Sequence, residues 1–277
     1  MYQSVEITAE PPLRLQRSRG EASVALAAAP SGFRLTGLRQ QGSAKVILPN
    51  IGGAAEAVFL NTSGGLTGGD HLSYAASVGA GLSVTATTQT AERAYKSTQG
   101  PAQVRVDLTV GRGGWLDWLP QETILFDRSA MNRKTRLALH GDAGGLILET
   151  VVLGRAAMGE VVQEIFLRDW REVTRDGAPL WVEPVLLTDR ALTTGPAGLN
   201  GVRAFSTLAL ICDDAPDLLT PLRRVLDEPG VTAAASALPG RLILRAHAAD
   251  SWPLRRQIVK ALAVVRRGRP LPRVWQM

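Results

Sequence analysis

Apolar and polar residues alternate with period two along most of this chain. Val104, Val106, Leu108 and Val110 fall on one face, with Gln103, Arg105, Asp107 and Thr109 on the other. Leu82, Val84 and Ala86 alternate with Ser83, Thr85 and Thr87, and Leu242 and Leu244 with Arg241 and Arg245 around Ile243. Such alternation predicts half-buried strands, because successive side chains of a strand point to opposite faces. Residues 146–153 are nearly continuously apolar, which predicts a strand covered on both faces apart from Glu149. Glycine-rich turn signals recur between these segments, at Gly52-Gly53, Gly79-Ala80-Gly81, Gly100-Pro101, Gly113-Gly114 and Asp176-Gly177. The spacing predicts an all-β sandwich, barrel or layered sheet rather than βαβ units. There is no fixed-period repeat.

Two helices are predicted, both late. One spans 214–228, restarted at Pro221 with Thr220 as cap. The other spans 251–267, with Ser251 as cap and Leu254, Ile258, Leu262 and Val265 as the apolar stripe. No linker-like segment divides the 277 residues, so the expectation is one domain over 1–277. A chain of this size buries about three quarters of its unfolded surface, enough for a large core.

Composition narrows the class. Hydrophobic residues make up 45% and charged residues 20%, as in a soluble globular protein. The opening MYQSVEITAEPP has acids and no apolar core, unlike a secretory signal. No apolar run approaches the ~18 residues of a spanning helix. Cys212 is the single cysteine, so an internal disulfide is excluded and a reducing compartment, the cytoplasm, is expected. The net charge of +6 comes from 27 Arg and 4 Lys against 25 acids. These bases are spread among apolar residues, which fits solvated strand faces first and docking to an acidic partner second.

Four glycines in six residues, Gly64, Gly65, Gly68 and Gly69, precede Asp70. This loop lies between two predicted strands, and its glycines permit positive φ and close backbone approach. It is no P-loop, because Asp70-His71 stands where Lys-Ser/Thr is required. The glycine spacing breaks the dinucleotide fingerprint, and Ser63 has Asn61 where a nucleophile elbow needs Gly. His71, His140 and His247 are dispersed, and no Cys-His zinc set can be formed. No catalytic residue emerges. Acids within glycine or apolar surroundings are Asp70, Glu122, Asp127, Glu160 and Glu183. They either pair with arginine or line a wet internal passage for a cation. Carboxylates bind transition-metal ions more weakly than imidazole and thiolate clusters do, which suits passing a cation on rather than storing it.

The segment Asn61-Thr62-Ser63-Gly64-Gly65-Leu66-Thr67-Gly68-Gly69-Asp70 resembles a signature of the urease accessory protein UreD family, called UreH in some organisms. Further blocks resemble the same family in the same order. They are Thr87-Thr88-Gln89 with Ala94-Tyr95-Lys96-Ser97, then 118–127 with Gln121-Glu122 at its centre, then Gly154-Arg155-Ala156-Ala157-Met158-Gly159-Glu160, and a weaker one at 181–183. The resemblance runs from about residue 35 to the C-terminus. Thr62-Ser63 departs from the pairs many relatives carry, and the first ~30 residues are individual.

The resemblance implies a non-enzymatic urease maturation factor built as a helical arrangement of β-layers. It implies a UreF-like accessory protein, a UreG-like GTPase and apo-urease as partners, and nickel as a transient cargo with no stably bound cofactor. It also implies an internal passage, to which Asp70, Glu160 and Glu183 correspond. Dependence on a partner further implies poor solubility when the chain is made alone. Two other readings stand beside it. A basic β-rich nucleic-acid-binding protein fits the charge, although aromatic content is only 5%. A small-molecule hydrolase or transferase fits the glycine loop, although no nucleophile-base pair accompanies it.

Overall fold

A computed structural model describes residues 16–49, 55–195 and 198–276. The chain opens with the hairpin β1 (Arg19–Ala29) and β2 (Gly32–Gly42), followed by β3 (Ala44–Ile47). From there it winds between two facing sheets. β4 (Ala55–Asn61) lies in a ten-stranded sheet and β5 (His71–Val78) in a seven-stranded one. β6 (Ser83–Thr88) and the short β7 (Glu92–Ala94) return to the first, and β8 (Ala102–Val110) crosses again. β9 (Trp115–Leu119) and β10 (Thr123–Leu125), β11 (Ser129–Leu139), β12 (Gly144–Leu153) and β13 (Ile165–Arg175) continue the alternation. β14 (Ala178–Thr188) folds back on β13 and ends the seven-stranded sheet. β15 (Ala204–Ile211), β16 (Val231–Leu238) and β17 (Arg241–Ala248) then complete the ten-stranded sheet.

The winding fixes the direction of the strands. β1, β5, β8, β11 and β13 are mutually parallel in one sheet, and β4, β6, β9 and β12 in the other. Each coil contributes a strand to each layer, so the fold is all-β dominated and layered, as the alternation predicts.

Among the described residues three α-helices flank the sheets. α1 (Asp189–Thr193) is a single turn that the sequence pattern does not predict. α2 (Leu219–Arg224) follows a 3-10 turn at Ala215–Leu218, so the first expected helix is much shorter than 214–228. Pro221 is its third residue, not its first, and Thr220 does not cap it. A missing N–H is tolerated there because the first amides of a helix have no intrahelical partner. α3 (Ser251–Val265) matches expectation, except that Asp250 rather than Ser251 caps it by accepting the amide of Trp252 at 2.8 Å.

The apolar stripe of α3 packs on the outer face of the ten-stranded sheet, with Leu254, Ile258 and Leu262 against Leu146, Leu148, Leu208 and Leu244. Each such buried side chain contributes roughly 1.5–3 kcal/mol. The second core lies between the sheets and includes Phe59, Leu108, Leu137, Ile147 and Val151. β12 therefore serves both cores, which is why its sequence is nearly continuously apolar. Glu149 does not interrupt that burial as its charge suggested: it is 2% exposed and points between the sheets.

Candidate functional site

The glycine loop, residues 62–70, carries the chain from one sheet to the other. Its glycines are required by space as well as by φ. A Cβ on Gly65 would stand 2.3 Å from Cε2 of Tyr95, and one on Gly68 would stand 1.9 Å from Oγ of Ser97. Gly64 and Gly69 have positive φ, at 79° and 84°. Asp70 closes the loop from within. One carboxylate oxygen accepts the amide of Ser18 at 2.7 Å and the other that of Thr67 at 2.8 Å. It is buried, and both oxygens are committed to backbone.

Beneath the loop is a cavity of about 80 Å³, lined among others by Gly64, Gly65, Tyr74, Glu92, Arg133 and Glu149. Glu92 has no ion-pair partner among the described residues; its oxygens accept from the Asn61 amide at 3.3 Å and from the Arg93 backbone at 3.2 Å. Burial pushes its carboxyl up to about 7, and the nearby Asp70 charge pushes it in the same direction. Burial also raises the Tyr74 hydroxyl, with Glu92 adding to the effect.

A chain of alternating charges leads from this cavity through the molecule. Arg133 lies 2.7 Å from Glu149 and 2.6 Å from Asp169. Arg171 lies 2.6 Å from Asp169 and 3.0 Å from Glu183, which is 2.6 Å from Arg245. Trp118 and Thr135 both donate to Glu149, at 3.2 and 3.1 Å, and Thr123 accepts from Arg133 at 2.9 Å. Burial opposes ionisation of Asp169, yet Arg133 and Arg171 outweigh it and hold that carboxyl at about 2. The far end, Glu183 and Arg245, lines a cleft of about 630 Å³ that also contains His247 and Thr207. Three carboxylates and three guanidinium groups thus form a balanced polar seam between two spaces. Buried groups so paired avoid the cost of an isolated charge.

The structure sorts the expected residues. Glu183 belongs to the seam, whereas Asp70 is not among the residues lining the cavity and only braces the loop above it. Glu160 does not join them. It sits after a 3-10 turn at Ala156–Met158, its oxygens taken by the Arg155 side chain at 2.8 Å and the amides of Arg155 and Asp127 at 2.9 and 3.2 Å. The hydrogen bond from Arg155 holds its carboxyl below the usual range, with the two amides assisting. Gly154 and Gly159 bracket this turn with φ of 70° and 64°. Gln121 and Glu122 tie the seam's wall to α3 instead, accepting from Arg255 at 2.9 and 2.6 Å.

Sequence reasoning missed Glu92, Arg133, Glu149, Asp169 and Arg171. A signal was there: Arg133 is in phase with the inward-facing Met131 and Leu137, and Asp169 and Arg171 with Leu167 and Val173. Charges on the apolar phase of a strand mark a polar interior. Among the described residues no three His, Cys, Asp or Glu side chains converge as a metal-binding group, and no helix is long and apolar enough to cross a membrane.

Residues 18–276 match the family model described as UreD urease accessory protein, a span that begins before the first recognisable motif. Proteins named Urease accessory protein UreD are similar over nearly the full length. One from Cereibacter sphaeroides is 58% identical over 95% of this chain and 96% of its own. One from Paracoccus denitrificans is 53% identical over 96% and 95%. One from Agrobacterium fabrum is 39% identical over 97% and 95%. These names are those of accessory proteins to an enzyme, not of enzymes. The chain belongs to the UreD family of urease accessory proteins.

Proposed function

We propose that this chain promotes urease maturation by giving nickel a route through its interior, between the cavity beneath the glycine loop and the cleft at Glu183. The observation that carries this reading is the unbroken seam from Glu149 to Arg245, whose members are 3.0 Å apart or less. A passing cation competes with arginine for each carboxylate in turn. The guanidinium displaced at one step stays close to the next carboxylate, and the otherwise neutral seam carries the excess charge of the ion while it passes. Oxygen ligands keep each stop shallow, which favours transfer over retention. Glu92 supplies the entry carboxylate and Asp70 holds the loop above it. The chain works in the cytoplasm within an assembly of a UreF-like protein, a UreG-like GTPase and apo-urease, and the GTPase brings the nucleotide site.

Co-expression with the UreF-like and UreG-like proteins, followed by size-exclusion chromatography, tests the assembly. The expected result is poor solubility of the chain alone and a single complex when the partners are present. A monodisperse chain that ignores both partners, or one that binds GTP unaided, would overturn the scaffold reading.

A further inference from the structure

The two faces of the molecule are finished differently. The ten-stranded sheet is covered on its outside by α2 and α3. Among the described residues nothing covers the outside of the seven-stranded sheet, although five of its strands are parallel. Parallel sheets are ordinarily covered on both faces.

Register places the outward residues of that sheet in rows. One row runs Arg19, His71, Gln103, Asn132, Arg168 and Leu186 across six strands. The next runs Glu21, Ser73, Arg105, Lys134, Trp170 and Pro184. At about 4.8 Å per strand each row is about 24 Å long. Their members from β1 to β13 line a shallow groove of about 960 Å³, and Pro184 and Leu186 continue the rows beyond it.

The charges in this groove are uneven. Arg105 pairs with Asp107, Arg136 with Glu172 and Glu21 with Arg39. Arg19, Lys134 and Arg168 have no carboxylate partner among the described residues. Lys134 instead lies 5.6 Å above the ring of Trp170. The Oδ1 atom of Asn132, on the floor, is buried without a hydrogen-bond partner. Beside these groups Trp170 is 38% and Leu186 59% exposed.

We propose that this groove is a docking surface for an acidic protein partner, whose carboxylates pair with Arg19, Lys134 and Arg168 and whose apolar residues cover Trp170 and Leu186. A folded protein fits better than a nucleic acid. Glu21, Asp107 and Glu172 are interleaved with the bases and would repel a continuous phosphate backbone. Trp170 is the one exposed aromatic in this groove among the described residues, and Lys134 lies over its ring, which leaves no row of aromatics for bases to stack on. The inference rests on the chain acting within a maturation assembly, but not on the nickel route.

The test is the triple substitution R19E/K134E/R168E, with R19Q/K134Q/R168Q as a milder second variant. Each is purified by a tag on this chain from cells co-expressing the UreF-like and UreG-like proteins and apo-urease. Circular dichroism and thermal melting confirm folding; Arg19 and Arg168 are exposed and Lys134 is half-buried. Wild type is expected to lose one of the three co-expressed proteins progressively between 50 and 500 mM NaCl. The charge-reversed variant should retain at least tenfold less of that protein at 150 mM, and the neutral variant an intermediate amount. Equal retention of all three proteins by wild type and both variants would overturn the proposal. So would equally tight, substitution-sensitive binding of a 30-base-pair DNA duplex. Failure of the nickel route is distinguishable, because substitutions of Glu92 and Glu183 would then leave both nickel delivery and assembly intact.

Discussion

Arg133 on β11 reaches across the space between the two sheets to Glu149 on β12, 2.7 Å away, with both side chains buried. These strands are consecutive in the chain and belong to different layers, so the pair clamps one coil of the winding. Arg133 also holds Asp169 on the neighbouring β13. One guanidinium therefore links the two layers and two adjacent coils.

Removing it leaves two buried carboxylates short of a partner. Arg133→Met is expected to destabilise the fold by about 3–5 kcal/mol, the usual cost of breaking a buried pair from one side. Chemical denaturation of the accessory complex or of a solubilised fusion checks this. A loss below about 1 kcal/mol would place the pair in the class of exposed ion pairs.

Glu92 makes stability fall as pH rises. Its folded pKa of about 7 lies above its ordinary value of 4.5, so between these values the native state binds more protons than the unfolded one. The native advantage is full below about pH 4.5 and is lost as pH rises through 7. Glu92→Gln removes the penalty. The variant is expected to exceed wild type by about 3 kcal/mol at pH 8, with the difference shrinking toward zero near pH 5. Melting curves across that range give the answer, and a difference independent of pH would contradict it.

The glycine loop separates two kinds of glycine. Both have positive φ, 79° at Gly64 and 147° at Gly65, but Gly65→Ala also places a Cβ 2.8 Å from the Arg93 carbonyl and against Tyr95, whereas Gly64→Ala meets nothing within 4 Å. Gly64→Ala is expected to cost about 1–2 kcal/mol, from positive φ alone. Gly65→Ala should cost more and should loosen the roof of the cavity. Thermal denaturation of the two variants side by side ranks them; equal losses would show that backbone conformation, not contact, governs the loop.

Much of the layering was legible in the sequence. Strict alternation at Val104, Val106 and Leu108 marked β8, and the unbroken run at 146–153 marked a strand between two cores. The capped stripe from Leu254 to Val265 marked α3. The winding was not legible, because its coils differ in length: successive strands of the seven-stranded sheet begin at His71, Ala102, Ser129 and Ile165. Nor was the seam. Asp169 and Arg171 lie on one strand, but Glu149, Arg133 and Arg245 come from three others, and only the fold brings them together. Glu160 and Glu183 both follow a residue pattern typical of withdrawn acids. Their side chains are withdrawn alike, at 13% and 10% exposure, and both pair with arginine; the difference is that Arg155 is local to Glu160, whereas Arg171 carries the pairing of Glu183 on to Asp169.

The central claim is that nickel travels along the seam. The most direct measurement is the nickel content of urease purified from cells that carry wild type, E92Q/E183Q or E160Q, with recovery of the accessory complex as the assembly control. E92Q/E183Q should leave the complex assembled and the urease with less than about one tenth of the wild-type nickel, while E160Q keeps most of it. Full nickel loading of urease by E92Q/E183Q would contradict the account.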